Sequence, residues 1–289
     1  MGMGSDSKFG VEGQNRTAGF DDLLHESETA SERDRARKDR SPLNLWLALP
    51  EDFSTDEVVR KYAPLLTEDE RTRWQRFRYP RHRREYLATR ALVRSALSHY
   101  RPLAPEEWRF QPNAHGKPAT DPDCGLRFNL SNSLGLVVCL IGTGSDVGVD
   151  VESCERAQKI ADLAPEVFSP LELAQLEALP IDEKLNRALS LWTLKEAYIK
   201  ARGMGLSLQL SKFSFAFGGA DGVRLELDAS LCDEPGRKWR YCLHDHAGHR
   251  IALMADRQDV PDLELWEFRP LPASARRLPE TRNPWFPAP

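Results

Sequence analysis

The sequence predicts an α+β protein. Three observations carry that prediction. Short segments alternate apolar and other residues, as half-buried strands do. Two stretches open with the Ser/Thr-x-x-Glu signature of a capped helix, Thr67–Glu70 and Ser169–Glu172. Apolar runs come in pairs separated by a few turn residues, the mark of antiparallel hairpins.

Leu43 to Leu49 reads as the first strand, and Thr55 to Tyr62 as a helix capped by Ser54 or Thr55. The box at Thr67 opens a short helix through Phe77, and Pro80 separates it from a long helix over Arg81 to Tyr100. Trp108 to Gln111 is a strand, and His115 to Pro118 a loop by its Gly and Pro. Leu126 to Leu130 and Leu134 to Ile141 pair around a turn at Ser131-Asn132-Ser133, and Asp146 to Glu152 follows as a strand. Ser169 caps another helix, with Pro170 in its first turn. Lys184 to Arg202 is a long helix stopped by Gly203. Phe213 to Phe217 pairs with Val223 to Asp228, and Trp239 to His244 pairs with Arg250 to Ala255.

Each half thus runs strand, helices, antiparallel strands, and the halves meet near residue 145. This divides the chain into a leader (1–41), an N-terminal subdomain (42–145), a C-terminal subdomain (146–260) and a Pro-rich tail (261–289) that wraps the surface. The leader is polar and aperiodic, with too little apolar surface to offset its ordering entropy.

Composition bounds the function. The chain has 289 residues, 40% apolar and 29% charged, with net charge −4. That describes a soluble globular protein rather than a disordered one or a general nucleic-acid binder. Between Arg71 and Arg94, nine arginines face the single acid Glu85, a local basic surface suited to an anionic ligand. Five cysteines without C-x-x-C spacing fit a reducing compartment and no structural zinc. No stretch has the length of a membrane span and the N-terminus carries no signal region, so the cytoplasm is expected. His244, His246 and His249 read as polar residues of a hairpin turn rather than as a metal cluster.

The chemistry-bearing residues stand in two segments. In Gly148-Val149-Asp150-Val151-Glu152, the valines point to one face of a strand and the carboxylates to the other, roughly 7 Å apart. Like charges that close drive one toward protonation unless a cation joins them, and a hard divalent ion with oxygen ligands resolves the conflict. In the second segment, Trp192 to Lys200, Trp192, Glu196 and Lys200 share one helical stripe. Glu196 can complete a three-carboxylate site; Lys200 can neutralise a phosphate. Ser131 and Asn132 offer a hydroxyl and an amide to an anion, and Lys117 sits on a Gly-Lys-Pro loop.

In order and spacing, Gly116-Lys117-Pro118, Phe128-Asn129-Leu130-Ser131, the Asp150–Glu152 strand, Trp192–Lys200 and Gly203-Met204-Gly205-Leu206 resemble the 4′-phosphopantetheinyl transferases of the surfactin-synthetase-activating type. The resemblance spans roughly residues 65 to 217. It implies transfer of phosphopantetheine from coenzyme A to a serine of an apo acyl or peptidyl carrier protein, with adenosine 3′,5′-bisphosphate as the other product. It implies a monomeric pseudo-dimer of two similar subdomains, each a small, mainly antiparallel sheet packed with helices. Asp150, Glu152 and Glu196 match magnesium ligands, and Asp150, Glu196 and Lys200 the catalytic group. Arg73, Lys117, Pro118, Ser131, Asn132, Lys195 and Lys200 match coenzyme A contacts. Asn132 departs from the family, which has His there. The competing expectation is a non-catalytic coenzyme A or carrier-binding module. A nucleotide hydrolase is disfavoured by the lack of a Walker loop.

Overall fold

The computed structural model describes residues 41–218, 222–228, 231, 237–279 and 285. The expected leader up to residue 40, the hairpin tip 219–221 and Cys232 lie outside them.

The described residues begin with β1 (Leu43–Ala48), then α1 (Asp56–Tyr62), α2 (Glu68–Arg76) and α3 (Pro80–Ser98). Four strands follow: β2 (Arg109–Pro112), β3 (Pro118–Asp121), β4 (Leu126–Ser133) and β5 (Leu136–Thr143). Next come β6 (Val147–Ser153), α4 (Ala157–Asp162), α5 (Ala164–Val167), α6 (Pro170–Glu177) and α7 (Ile181–Arg202). The last strands are β7 (Phe213–Phe217), β8 (Val223–Leu227), β9 (Trp239–His246), β10 (His249–Asp256), β11 (Leu263–Arg269) and β12 (Ser274–Arg277).

Period-two alternation in β1 and β5 separates two cores. Trp46 and Ala48, with Val137, Cys139 and Ile141, pack beneath α3. Leu43, Leu45 and Leu47, with Leu136, Val138 and Leu140, face the other way, onto β6 and β10. The far face of β9 and β10 carries α7 through Tyr241, Ala252 and Met254. The layers are therefore α3, a five-stranded sheet (β12-β11-β1-β5-β4), a three-stranded sheet (β6-β10-β9) and α7. Among the described residues, the strand pairs are antiparallel except β1 with β11. Among the described residues, no helix is long and apolar enough to cross a membrane.

The caps form as read. Thr55 accepts from the Val58 amide, and Thr67–Glu70 and Ser169–Glu172 close reciprocal boxes. Gly203 ends α7 in the left-handed region, φ 64°. Pro80 is the first residue of α3 rather than a spacer before it, because its missing N–H would be unpaired there in any case.

Three expectations are corrected. The β4–β5 turn is the pair Leu134-Gly135, both at positive φ, so Ser131, Asn132 and Ser133 are strand residues. The segment after Arg257 does more than wrap the surface: β11 and β12 complete the five-stranded sheet, and Trp285 is buried between the sheets. Pro118 starts β3 rather than closing a loop, and α4 and α5 fill a segment to which the sequence reading assigned nothing.

Candidate active site

β4 and β6 are edge strands of different sheets, and side chains join them. Asn129 Oδ1 accepts the Val149 amide at 2.9 Å, Ser131 Oγ that of Val151 at 3.3 Å, and Ser133 Oγ that of Ser153 at 3.1 Å. Three alternate residues of β4 thus supply the edge amides of Val149, Val151 and Ser153 with the acceptors a neighbouring strand's carbonyls would give. The two serines also donate back, Ser131 Oγ to Asp150 Oδ1 at 2.9 Å and Ser133 Oγ to Glu152 Oε2 at 3.0 Å.

α7 lies across the same face of β6. It can approach closely because residue 148 is glycine: a Cβ there would sit 2.1 Å from the Ala197 carbonyl oxygen. The predicted stripe then meets the carboxylates in reverse order. Trp192 Nε1 donates to Glu152 Oε1 at 2.9 Å; Lys200 Nζ donates to Asp150 Oδ1 at 2.7 Å and to Ser131 Oγ at 2.9 Å. Glu196 stands one turn from each, between them. Arg156, following β6, donates to Glu152 Oε2 in a very close contact.

The electrostatics follow from burial. Asp150 is 4% exposed, and desolvation pushes its carboxyl pKa up; Lys200 opposes this and Glu152 adds to it. Desolvation likewise raises Glu196, and the negative charge of Asp150 raises it further. Asp150 Oδ2 is buried without a hydrogen-bond partner. Glu196 makes no hydrogen bond or ion pair among the described residues, and none of their His, Cys, Asp and Glu side chains form a ready-made group of three for a metal ion. Lys200 and Arg156 occupy two of the carboxylates instead. An orphaned carboxylate oxygen beside two further acids is nonetheless a donor set that suits a hard divalent cation.

The remaining predicted residues divide. Lys195 is a correction: it is 0% exposed, and its ammonium donates to Glu172 Oε2 and to the Phe213 carbonyl, both at 2.6 Å. It cannot touch a ligand in the cleft; it ties α7 to α6 and β7. Burial lowers its pKa, against the pull of Glu172. Lys117 Nζ donates to the Ala201 carbonyl at 2.7 Å and the Val147 carbonyl at 3.1 Å, with Asp146 at 3.6 Å. It caps the C-terminal end of α7, where a cation complements the free carbonyls, and Pro118 follows it into β3. Asn132 points to the opposite face of β4 from Ser131 and donates closely to Glu85 on α3. Arg73 is exposed, its guanidinium 5.7 Å from the ring of Tyr86, the next residue of α3.

The sequence reading gave no role to Asn129, Ser133 and Arg156, and none to Trp192 beyond its place on the stripe of α7. Asn129-x-Ser131-x-Ser133, small polar residues at period two opposite Phe128 and Leu130, was the available signal for the seam.

Residues 146–254 match the model of the 4′-phosphopantetheinyl transferase superfamily. The 4′-phosphopantetheinyl transferase HetI of a Nostoc species is 32% identical over 187 residues, 64% of this chain and 78% of its own length. The chain belongs to the 4′-phosphopantetheinyl transferases. Within this family, Sfp of Bacillus subtilis is 27% identical over 72% of this chain and 90% of its own length. A holo-(acyl-carrier-protein) synthase of Bacillus anthracis, solved with coenzyme A, superposes with a TM-score of 0.33 over 38% of this chain and 93% of its own, at 16% identity. The family match starts at β6 and ends in β10, so it takes in the Asp150–Glu152 strand and all of α7.

Proposed function

We propose that this chain transfers the 4′-phosphopantetheine group of coenzyme A to a serine of an apo acyl or peptidyl carrier protein, with Asp150, Glu152 and Glu196 holding a divalent cation such as magnesium. The observation that carries the reading is the junction of Lys200, Ser131 and Asp150 beside the unpaired Asp150 Oδ2 and Glu196. Attack within a pyrophosphate needs charge neutralisation and alignment more than a covalent intermediate. Lys200 places a cation where phosphate oxygens would lie. Glu196, raised by burial, is suited to take the proton of the carrier serine as its oxygen bonds to phosphorus. The bond to the leaving phosphate then breaks, releasing adenosine 3′,5′-bisphosphate. When bound, the cation would offset the charge gathering on the pyrophosphate. Free Cys124, Cys139, Cys154 and Cys242 support a reducing compartment, the cytoplasm, and the family resemblance supports a monomer.

The test is to incubate the purified chain with coenzyme A, magnesium and apo carrier proteins, then weigh the carriers intact. A phosphopantetheine mass gain supports the transferase; coenzyme A binding without gain would leave a non-catalytic module. Glu196→Gln abolishes the gain in a protein that still folds, and undiminished transfer would remove Glu196 from the mechanism.

A further inference from the structure

The three carboxylates are not equivalent. Asp150 keeps one oxygen free, and Glu196 is unbonded among the described residues. Glu152 has donors on both oxygens: Trp192 donates to Oε1, while Ser133 and Arg156 donate to Oε2. Only one of those donors carries charge. The Glu152 side chain is 7% exposed and that of Arg156 35%, so the guanidinium enters from the solvent side. Its position is built by the chain. Ser153 accepts the Glu155 amide through Oγ and gives its own amide to Ser133 Oγ. That pins the turn after β6 and returns Arg156 over Glu152, four residues back.

We propose that Arg156 is a built-in counter-ion of Glu152 that competes with the divalent cation for Oε2. Without the cation, Arg156 neutralises the Glu152 end of the acidic face. A cation bound to Asp150 and Glu196 that takes Glu152 through Oε2 must displace the guanidinium from that oxygen. Arg156 is thus a positioning residue that weakens and sets the site's cation affinity. This rests on the carboxylates being a metal site at all, and the experiment separates the two.

The test uses Mn2+ as the probe, its free and bound forms counted by electron paramagnetic resonance during titration of the full chain. Wild type, Arg156→Gln, Arg156→Lys and Asp150→Asn are compared, with thermal melts confirming that each is folded. The wild type is expected to bind Mn2+, and Asp150→Asn to lose at least about tenfold in affinity by removing a ligand charge. Arg156→Gln, which deletes a half-exposed competing charge, tightens binding about fivefold. Arg156→Lys keeps the charge and stays within about twofold of wild type. If Arg156→Gln binds no tighter while Asp150→Asn still loses the ion, the competition is refuted and the metal site stands. Equal tightening in the Lys variant refutes a charge effect. If wild type and Asp150→Asn bind Mn2+ alike, the metal site falls and the competition falls with it.

Discussion

Lys195 and Glu196 are consecutive on α7, and the helical rotation of about 100° between them separates a sealed ion pair from the open cleft. Lys195→Ala leaves Glu172 in the core without its cation, although the Ser169 and Phe215 amides still donate to it. The expected loss is about 3–5 kcal/mol of unfolding free energy by urea titration. Coenzyme A affinity of the folded fraction stays unchanged, whereas a coenzyme A contact would lose affinity. Asp150 and Glu196 give a pH signature. Both carboxyls have folded-state pKa values raised by burial, so the folded protein binds protons more readily than the unfolded chain. By linkage, stability without metal falls as pH rises from the ordinary carboxylate range, about 4, through the raised values. Magnesium competes with those protons. It should therefore raise the melting temperature at pH 8 and have little effect at pH 4.5; an equal shift at both would contradict the assignment. At Asn132, exchange for His places an imidazole beside Glu85. Coenzyme A binding by Asn132→His is expected to tighten more than that of the wild type as pH falls from 8 to 6, by calorimetry; indistinguishable profiles would contradict it.

At the scale of elements, the site is a contact between α7 and the face of β6 left bare by Gly148. Gly148→Ala drives a methyl group into the Ala197 carbonyl and the Ala201 amide, backbone groups that cannot step aside. Overpacking of this kind costs about 1–3 kcal/mol. It also lifts Lys200 and Glu196 from Asp150, so transfer should fall by more than the folded fraction does; loss of stability alone would separate the glycine from the chemistry. Most elements were legible because their signals are local. A capping box or an alternating run is read within a few residues: α2 and α6 begin at their boxes and α7 ends at Gly203. The β4–β5 turn was misplaced because Ser, Asn and Ser suit a turn by composition. The structure instead uses Ser131 and Ser133 as substitutes for strand acceptors. That role exists only once β6 lies alongside.

At the scale of the whole molecule, the last strands close the first sheet. β11 pairs in parallel with β1, Leu43 opposite Leu263 and Leu47 opposite Glu267, and Trp285 fills the core between the sheets. Truncation after residue 260 strips one edge of β1 and removes Trp285. The truncated chain should lose its cooperative unfolding transition by circular dichroism; a surface wrap would be dispensable. This pairing was illegible because it joins residues some 220 positions apart, and nothing local marks a parallel partner. The sequence by itself determined the α+β class, the capped helices and the long helices α3 and α7, the carboxylate face of β6 and the stripe of α7, because periodicity and capping are properties of neighbours along the chain. Tertiary structure alone decided which charges are free. Lys195 is sealed, Lys117 caps a helix, Arg156 holds Glu152, and Asp150 keeps an open oxygen. The partner that neutralises a side chain, and the water it loses, depend on residues brought in from elsewhere in the fold.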